Sequence, residues 1–195
     1  MTERVCILPR WAGRAESDWY PWIRAELASA IPGLDVAMLE LPNPGAPVIE
    51  QCVASLRREL GDDLSALRET ILIGHSVGCQ ALMRYLAGLA PSSENDGSQG
   101  VEHLVCVAGW WTIDEPWPAL RPWVDTSFDL ARLRSAVAGV SVLLGDDDPF
   151  TRDWRANQAM WEQRLDARTK LVSGAKHFNA GAEPAVLALI RELIR

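Results

Sequence analysis

The pentapeptide at 74–78 reads Gly-His-Ser-Val-Gly and directly follows a short apolar run at 71–73. In a nucleophile elbow, this G-x-S-x-G pattern places a serine on a sharp strand-to-helix turn with its hydroxyl above the sheet. Glycine is needed on both sides because the turn leaves no room for a Cβ atom and uses unusual backbone angles. The pattern therefore predicts that Ser76 is a nucleophile for acyl transfer. The alternative is a tight turn that needs glycine and contains serine by chance.

A serine hydroxyl is a weak nucleophile until a base removes its proton, and histidine suits that role because its pKa lies near neutral pH. The chain has three histidines. His75 adjoins Ser76 inside the pentapeptide, and His103 precedes a predicted strand at the end opposite the expected site. His177 follows the last predicted strand in a loop, so it is the predicted base. The alternative is a solvated surface histidine.

A carboxylate must hold the imidazole of the base in the correct tautomer and orientation. In this architecture the expected chain order is serine, then aspartate or glutamate, then histidine. Asp146, Asp147 and Asp148 follow an apolar run at 140–144 and precede the candidate base. The pattern leaves all three as candidates, with a solvated acidic loop as the alternative.

The oxyanion that develops on a substrate carbonyl needs N–H donors that are already in place. We expect one donor to be the backbone N–H of Val77, directly after the nucleophile. A second donor is expected from the loop at 9–13, which follows the first predicted strand.

These residues must be held by an alternation of short apolar strands and amphipathic helices. The predicted strands are 5–8, 34–41, 70–73, 104–108, 140–144 and 169–172. The predicted helices are 19–30, 48–60, 79–87, 128–138, 152–165 and 184–194. The segment 110–126 fits neither pattern, and 92–100 is predicted to be an exposed, mobile loop. Such alternation indicates an α/β fold with a mostly parallel sheet covered by helices on both faces. Each candidate follows the carboxyl end of a strand, where sites form in such sheets.

The composition is that of a globular protein with one domain over residues 1–195. Hydrophobic residues make up 48% and charged residues 23%, and the net charge is −7, which argues against a nucleic-acid partner. The four cysteines lie far apart in apolar settings and are predicted to be free thiols, with no metal site. The sequence shows no signal peptide or membrane span, so a cytoplasmic protein without membrane attachment is expected.

Several motifs in order along the chain together resemble a known family. They are Trp19-Tyr20-Pro21-Trp22, Leu41-Pro42-Asn43-Pro44, the Ser76 pentapeptide, Met83-Arg84-Tyr85, Gly145-Asp146-Asp147-Asp148-Pro149-Phe150 and Gly174-Ala175-Lys176-His177-Phe178. The chain resembles the small α/β-hydrolase-fold serine hydrolases related to retinoblastoma-binding protein nine. The resemblance implies an α/β-hydrolase fold with a minimal lid and a triad of nucleophile, acid and base. In the family motif the acid directly precedes proline, which implies Asp148.

The chain departs from this family after its first strand. The family usually has glycine in a Pro-Gly or His-Gly pattern there, whereas this chain has Pro9-Arg10-Trp11. The backbone N–H of Trp11 is the expected second oxyanion donor, and the bulkier Arg10 is expected either to narrow the site or to reshape that donor.

The expected function is hydrolysis of a small ester, thioester or amide through an acyl-enzyme, with no cofactor. Core packing accounts for some of the nine tryptophans, and their two clusters around 11–22 and 110–123 favour an aromatic-lined pocket, with core packing of both clusters as the alternative. The expected pocket residues are Arg10, His75, Trp110 and Trp111, with Trp11 beside an apolar or aromatic acyl group. The alternatives are a protein-binding module that uses its tryptophan-rich surface, and an enzyme that transfers the acyl group to an acceptor other than water.

Overall fold

The computed structural model describes residues 2–89 and 100–194, which form alternating strands and helices. The strands are β1 (Arg4–Leu8), β2 (Asp35–Met38), β3 (Thr70–His75), β4 (His103–Val107), β5 (Val140–Gly145) and β6 (Arg168–Val172). The helices are α1 (Tyr20–Ala30), α2 (Ile49–Leu60), α3 (Val77–Ala87), α4 (Arg121–Asp125), α5 (Leu130–Ala136), α6 (Trp154–Leu165) and α7 (Pro184–Leu193).

The six strands form one sheet in the order β2-β1-β3-β4-β5-β6, and every pairing is parallel. The predicted parallel sheet is therefore confirmed. Strands β3 and β4 lie at the centre and are buried along almost their whole length, which explains why both read as nearly continuous apolar runs. The carboxyl ends of all six strands meet at one edge of the sheet, where the candidate residues lie.

Alternating strand residues build two separate cores, one on each face of the sheet. On β1, Cys6 and Leu8 pack with helices α2, α3, α5 and α6, whereas Val5 and Ile7 pack with α1 and α7. This division follows from the two-residue period of a strand. Both faces are covered, as the sequence predicts, and the sheet is a rigid base for the loops at its carboxyl edge.

Two segments differ from the sequence-based expectation. Strand β2 is shorter than the predicted 34–41, because the chain leaves the sheet at Leu39 and turns at 42–45. The proline- and tryptophan-rich segment at 110–126 contains the five-residue helix α4, with Pro122 in its first turn, a position that proline favours. Residues 92–99 of the predicted surface loop lie outside the described residues.

All four cysteines are buried and free, as predicted. Within residues 2–89 and 100–194, no helix is long and apolar enough to cross a bilayer.

Candidate active site

Ser76 lies between β3 and α3 in a strained backbone conformation, with φ 54° and ψ −116°. Both flanking glycines are required by close packing. A Cβ atom on Gly74 would lie 2.5 Å from the backbone nitrogen of Cys79, and one on Gly78 would lie 2.5 Å from the carbonyl oxygen of Leu8. The strain at a non-glycine residue, held by these contacts, is typical of a functional turn. The local structure is that of a nucleophile elbow.

The two other triad candidates lie in the loops that follow β5 and β6. The Nδ1 atom of His177 is 2.8 Å from Oδ2 of Asp148, and both side chains are buried. The other carboxylate oxygen of Asp148 accepts a hydrogen bond from the backbone N–H of Phe150. Asp148 is thus the one acid of the three that contacts the histidine ring.

The two preceding acids hold the backbone of the histidine loop. Asp146 accepts hydrogen bonds from the hydroxyl of Ser173 and the backbone N–H of Gly174. Asp147 accepts one from the backbone N–H of Lys176 at 2.7 Å. The hydrogen bonds to Gly174 and Ser173 hold the pKa of Asp146 below its ordinary value. The acidic tripeptide therefore fixes both the ring and the main chain around His177.

The two residues whose backbone N–H groups are the expected oxyanion donors, Val77 and Trp11, both line the cavity beside Ser76. Val77 is the first residue of α3 and lines the same cavity as Ser76. In the loop after β1, the N–H groups of Arg10, Ala12 and Gly13 are already bonded, to the Tyr20 hydroxyl and to backbone carbonyls. Among the described residues, no partner is found for the N–H of Trp11 in this loop. It is therefore the available donor, consistent with the sequence-based choice.

A cavity of about 170 Å³ opens at this edge of the sheet beside the nucleophile. Its lining is largely apolar and comprises Arg10, Trp11, Ser76, Val77, Ile113, Trp117, Leu120, Phe150, His177 and Asn179. The guanidinium of Arg10 is paired with both carboxylate oxygens of Asp18, at 2.7 and 3.0 Å. The positive charge of Arg10, the one arginine among the described residues that lines the cavity, is therefore neutralised by Asp18.

One side of the cavity is a continuous aromatic wall. The ring of Trp11 meets that of Trp117 edge to face at 5.2 Å, Trp117 lies 6.3 Å from Phe150, and Phe150 lies 4.7 Å from the ring of His177. The sequence-based list of pocket residues omitted Trp117 and Phe150. Both were visible as signals, since Trp117 belongs to the second tryptophan cluster and Phe150 directly follows the Asp-Pro pair.

Three of the predicted pocket residues do not line this cavity. His75 and Trp110 are completely buried beneath it, and Trp111 packs against Trp161 and Phe128 beside a different cavity. The chain turns sharply at Ala108, which has φ 47°, and this turn directs the following tryptophans into the core. Trp110 still contacts the nucleophile, because its indole N–H points to Oγ of Ser76 at 3.4 Å.

The chain is similar to known proteins over nearly its whole length. The YdeN protein of Bacillus subtilis (strain 168) is 24% identical over 188 residues, which cover 91% of this chain and 87% of YdeN. The crystal structure of the B. subtilis ydeN product matches with a TM-score of 0.81 at 22% identity, over 98% of both chains.

More distant structures share the fold. A YdeN-like protein from Pectobacterium atrosepticum has a TM-score of 0.65 at 20% identity, over 98% of this chain and 91% of its own. Est1E from Butyrivibrio proteoclasticus has a TM-score of 0.64 at 15% identity, over 98% and 88%. The expected α/β-hydrolase fold is confirmed.

The family model described as serine hydrolase matches residues 5–190. The match runs from β1 into α7 and includes the elbow, the acidic tripeptide and the histidine loop. The expected resemblance to a family of small serine hydrolases is thereby confirmed, as is the expectation of an enzyme. The chain belongs to the serine hydrolase family.

Proposed function

We propose that this enzyme hydrolyses a small ester, thioester or amide through an acyl-enzyme formed on Ser76. His177 acts first as general base and then as general acid, and Asp148 orients it. The observation that carries this proposal is the 2.8 Å contact between Nδ1 of His177 and the buried carboxylate of Asp148, in a cavity that the elbow serine also lines.

The hydrogen-bond pattern at His177 supports the proposed proton path. A carboxylate only accepts, so Nδ1 carries the proton toward Asp148, and Nε2 keeps a lone pair that can take the proton of Ser76. As Oγ bonds to the substrate carbonyl, the oxyanion is held by the N–H groups of Val77 and Trp11. The imidazolium then gives its proton to the leaving group, and water repeats the sequence to release the acid and free serine.

The cavity supports a small, uncharged acyl group as substrate. Its volume of about 170 Å³ is below the roughly 300–1,000 Å³ of pockets that take drug-sized ligands. The aromatic wall offers apolar contact. Because Asp18 already neutralises the positive charge of Arg10, that arginine does not favour an anionic acyl group. No cofactor takes part in the proposed chemistry.

The protein-binding alternative finds less support in the structure. Five of the nine tryptophans are buried, namely Trp19, Trp110, Trp111, Trp123 and Trp161. Trp117 is 38% exposed but forms part of the cavity wall. Most of the tryptophans thus pack in the core or line the cavity, and they do not form a wide apolar docking face.

Replacing Trp117 with alanine is expected to change the preference for acyl-chain length. The substitution removes the middle of the aromatic wall, so kcat/KM for a p-nitrophenyl acetate or butyrate should fall by about 3- to 10-fold. Activity toward the octanoate ester should fall less or rise, because the cavity is longer. The measurement is the ratio of kcat/KM values across the ester series.

Trp154 offers a matched control for this substitution. It lies on α6, where its ring stacks under the guanidinium of Arg155, and it does not line the cavity. Trp154→Ala should leave the chain-length ratio unchanged. An unchanged ratio in Trp117→Ala would show that the acyl group binds elsewhere.

A fluorophosphonate probe tests the proposed nucleophile directly. Oγ of an activated serine attacks phosphorus and fluoride leaves, while the histidine takes the serine proton. We expect stoichiometric labelling of the folded protein, mapped by peptide mass spectrometry to Ser76, and none after heat denaturation. Labelling at another residue, or no labelling of a folded sample, would refute the proposed function.

A further inference from the structure

The histidine inside the elbow pentapeptide is not part of the proposed triad, yet it has a buried partner at each ring nitrogen. His75 is completely buried at the end of β3. Its Nε2 atom lies 2.8 Å from the backbone carbonyl oxygen of His177, and its Nδ1 atom lies 2.7 Å from the hydroxyl of Tyr20. The same hydroxyl lies 3.1 Å from the backbone nitrogen of Arg10.

The chemistry of these atoms fixes the direction of every hydrogen bond. A carbonyl oxygen only accepts, so Nε2 of His75 must carry a proton. A neutral imidazole then has no proton on Nδ1, which accepts from the hydroxyl of Tyr20. The oxygen of Tyr20 keeps lone pairs, and it accepts from the backbone N–H of Arg10. All donors and acceptors in this buried chain are satisfied.

The ring of His75 is held neutral by its surroundings. Burial lowers its pKa well below the ordinary value, and the positive charge of His177, when that ring is protonated, and of Arg10 lowers it further. Burial raises the pKa of the Tyr20 hydroxyl well above its ordinary range. Both groups therefore keep one protonation state in which the hydrogen-bond directions given above hold.

The geometry points to Tyr20 and His75 as positioning residues that link the oxyanion loop at 9–13 to the backbone of His177. At one end of this hydrogen-bonded series, the Tyr20 hydroxyl fixes the backbone of Arg10, next to the N–H of Trp11, which is the available oxyanion donor. The other end fixes the carbonyl of the residue whose ring bonds to Asp148. The link thereby sets the distance between the base and the second oxyanion donor.

The backbone around His177 has need of such an anchor. Its two neighbours, Lys176 and Phe178, both have left-handed φ values, 49° and 53°. Non-glycine residues with such angles persist only where surrounding contacts hold them. The carboxylate of Asp147 accepts a hydrogen bond from the backbone N–H of Lys176, and the ring of His75 donates one to the carbonyl of His177 itself.

This inference rests on the proposed roles of His177 and Trp11, and it predicts a loss of kcat with little change in KM. The link acts on the geometry of the transition state, where a misplacement of about 1 Å can cost about 10²-fold in rate. Tyr20→Phe, which removes only the hydroxyl, should lower kcat about 10- to 100-fold. His75→Leu should do the same, and the double variant should be no worse than His75→Leu alone, because both break one chain.

Two further variants separate positioning from general destabilisation. His75→Gln retains an N–H donor for the carbonyl of His177 and should recover at least about tenfold in kcat over His75→Leu. Tyr85→Phe is the matched control, since Tyr85 is equally buried and its hydroxyl donates to the carbonyl of Gly61, the residue directly after α2. It should leave kcat unchanged.

A spectroscopic measurement on the unaltered protein tests the same inference without activity. Long-range ¹H–¹⁵N correlation spectra distinguish the two neutral histidine tautomers. The resonances of His75, assigned through His75→Gln, should show a proton on Nε2 and no titration between about pH 5.5 and 8. A proton on Nδ1, or a kcat loss in Tyr20→Phe no larger than in Tyr85→Phe, would overturn the positioning role. Loss of fluorophosphonate labelling in the wild type would instead overturn the proposed function.

Discussion

Replacing His177 with alanine is expected to lower kcat for a small activated ester by about 10⁵- to 10⁶-fold. Without the imidazole, no described group is placed to take the Ser76 proton, and the weak hydroxyl nucleophile must react unaided. KM should change little, since the cavity keeps its aromatic wall. Steady-state kinetics with a p-nitrophenyl ester measures the loss, and fluorophosphonate labelling should slow in parallel.

The chain offers another histidine as control. His103 begins β4, at the edge of the sheet opposite the site, and its Nε2 atom lies 2.9 Å from the hydroxyl of Ser141. Burial lowers its pKa to about 4, so it is neutral at working pH. His103→Ala should leave kcat within about twofold, because a substitution far from the active site affects the stability of the fold rather than the reaction. Retention of more than a tenth of the activity in His177→Ala would rule out this histidine as the base.

The sheet could be predicted from sequence because its signals are local. Most of the strands are short apolar runs, and most of the helices between them carry apolar residues at helical spacing, a pattern typical of a parallel sheet covered on both faces. The elbow was predictable for the same reason. Its two glycines are needed because a Cβ atom at Gly74 or Gly78 would collide with the backbone of Cys79 or Leu8 in this tight turn.

The pocket could not be predicted because its shape depends on loop backbones. The left-handed turn at Ala108 directs Trp110 and Trp111 into the core. A positive φ at an alanine cannot be predicted from a residue pattern. The pairing of Trp11 with Trp117 joins loops more than a hundred residues apart. Residue types gave the aromatic character of the site, and only the folded loops decide which rings face the substrate.

The acidic tripeptide shows the same boundary between pattern and geometry. Chain order alone leaves three candidate acids, and the family resemblance implies Asp148. The structure shows what the other two do, since Asp146 and Asp147 hold backbone N–H groups of the histidine loop. Gly145 completes this arrangement, because a Cβ atom there would collide with the carbonyl oxygen of Lys176. Residues 145–148 thus together hold the loop that carries His177.

Replacing Asp148 with asparagine is expected to lower kcat by about 10⁴-fold with little change in fold. The asparagine oxygen can still accept the hydrogen bond from Phe150. Its amide group, however, would donate to Nδ1 of His177 and leave the proton on Nε2, the tautomer that cannot accept from Ser76. The measurement is kcat for an activated ester, with a thermal melt to confirm folding.

Asp147→Asn is the matched control, because it makes the same chemical change one residue earlier. Asp147 is exposed, and its contact is to the backbone N–H of Lys176, which an amide oxygen also accepts. Its kcat should fall by less than about threefold, since a neutral acceptor replaces a charged one at an exposed site. Equal losses in the two variants would mean that the tripeptide acts only by holding the loop. A large loss in Asp148→Asn alone would identify the carboxylate at His177 as the group that sets its tautomer.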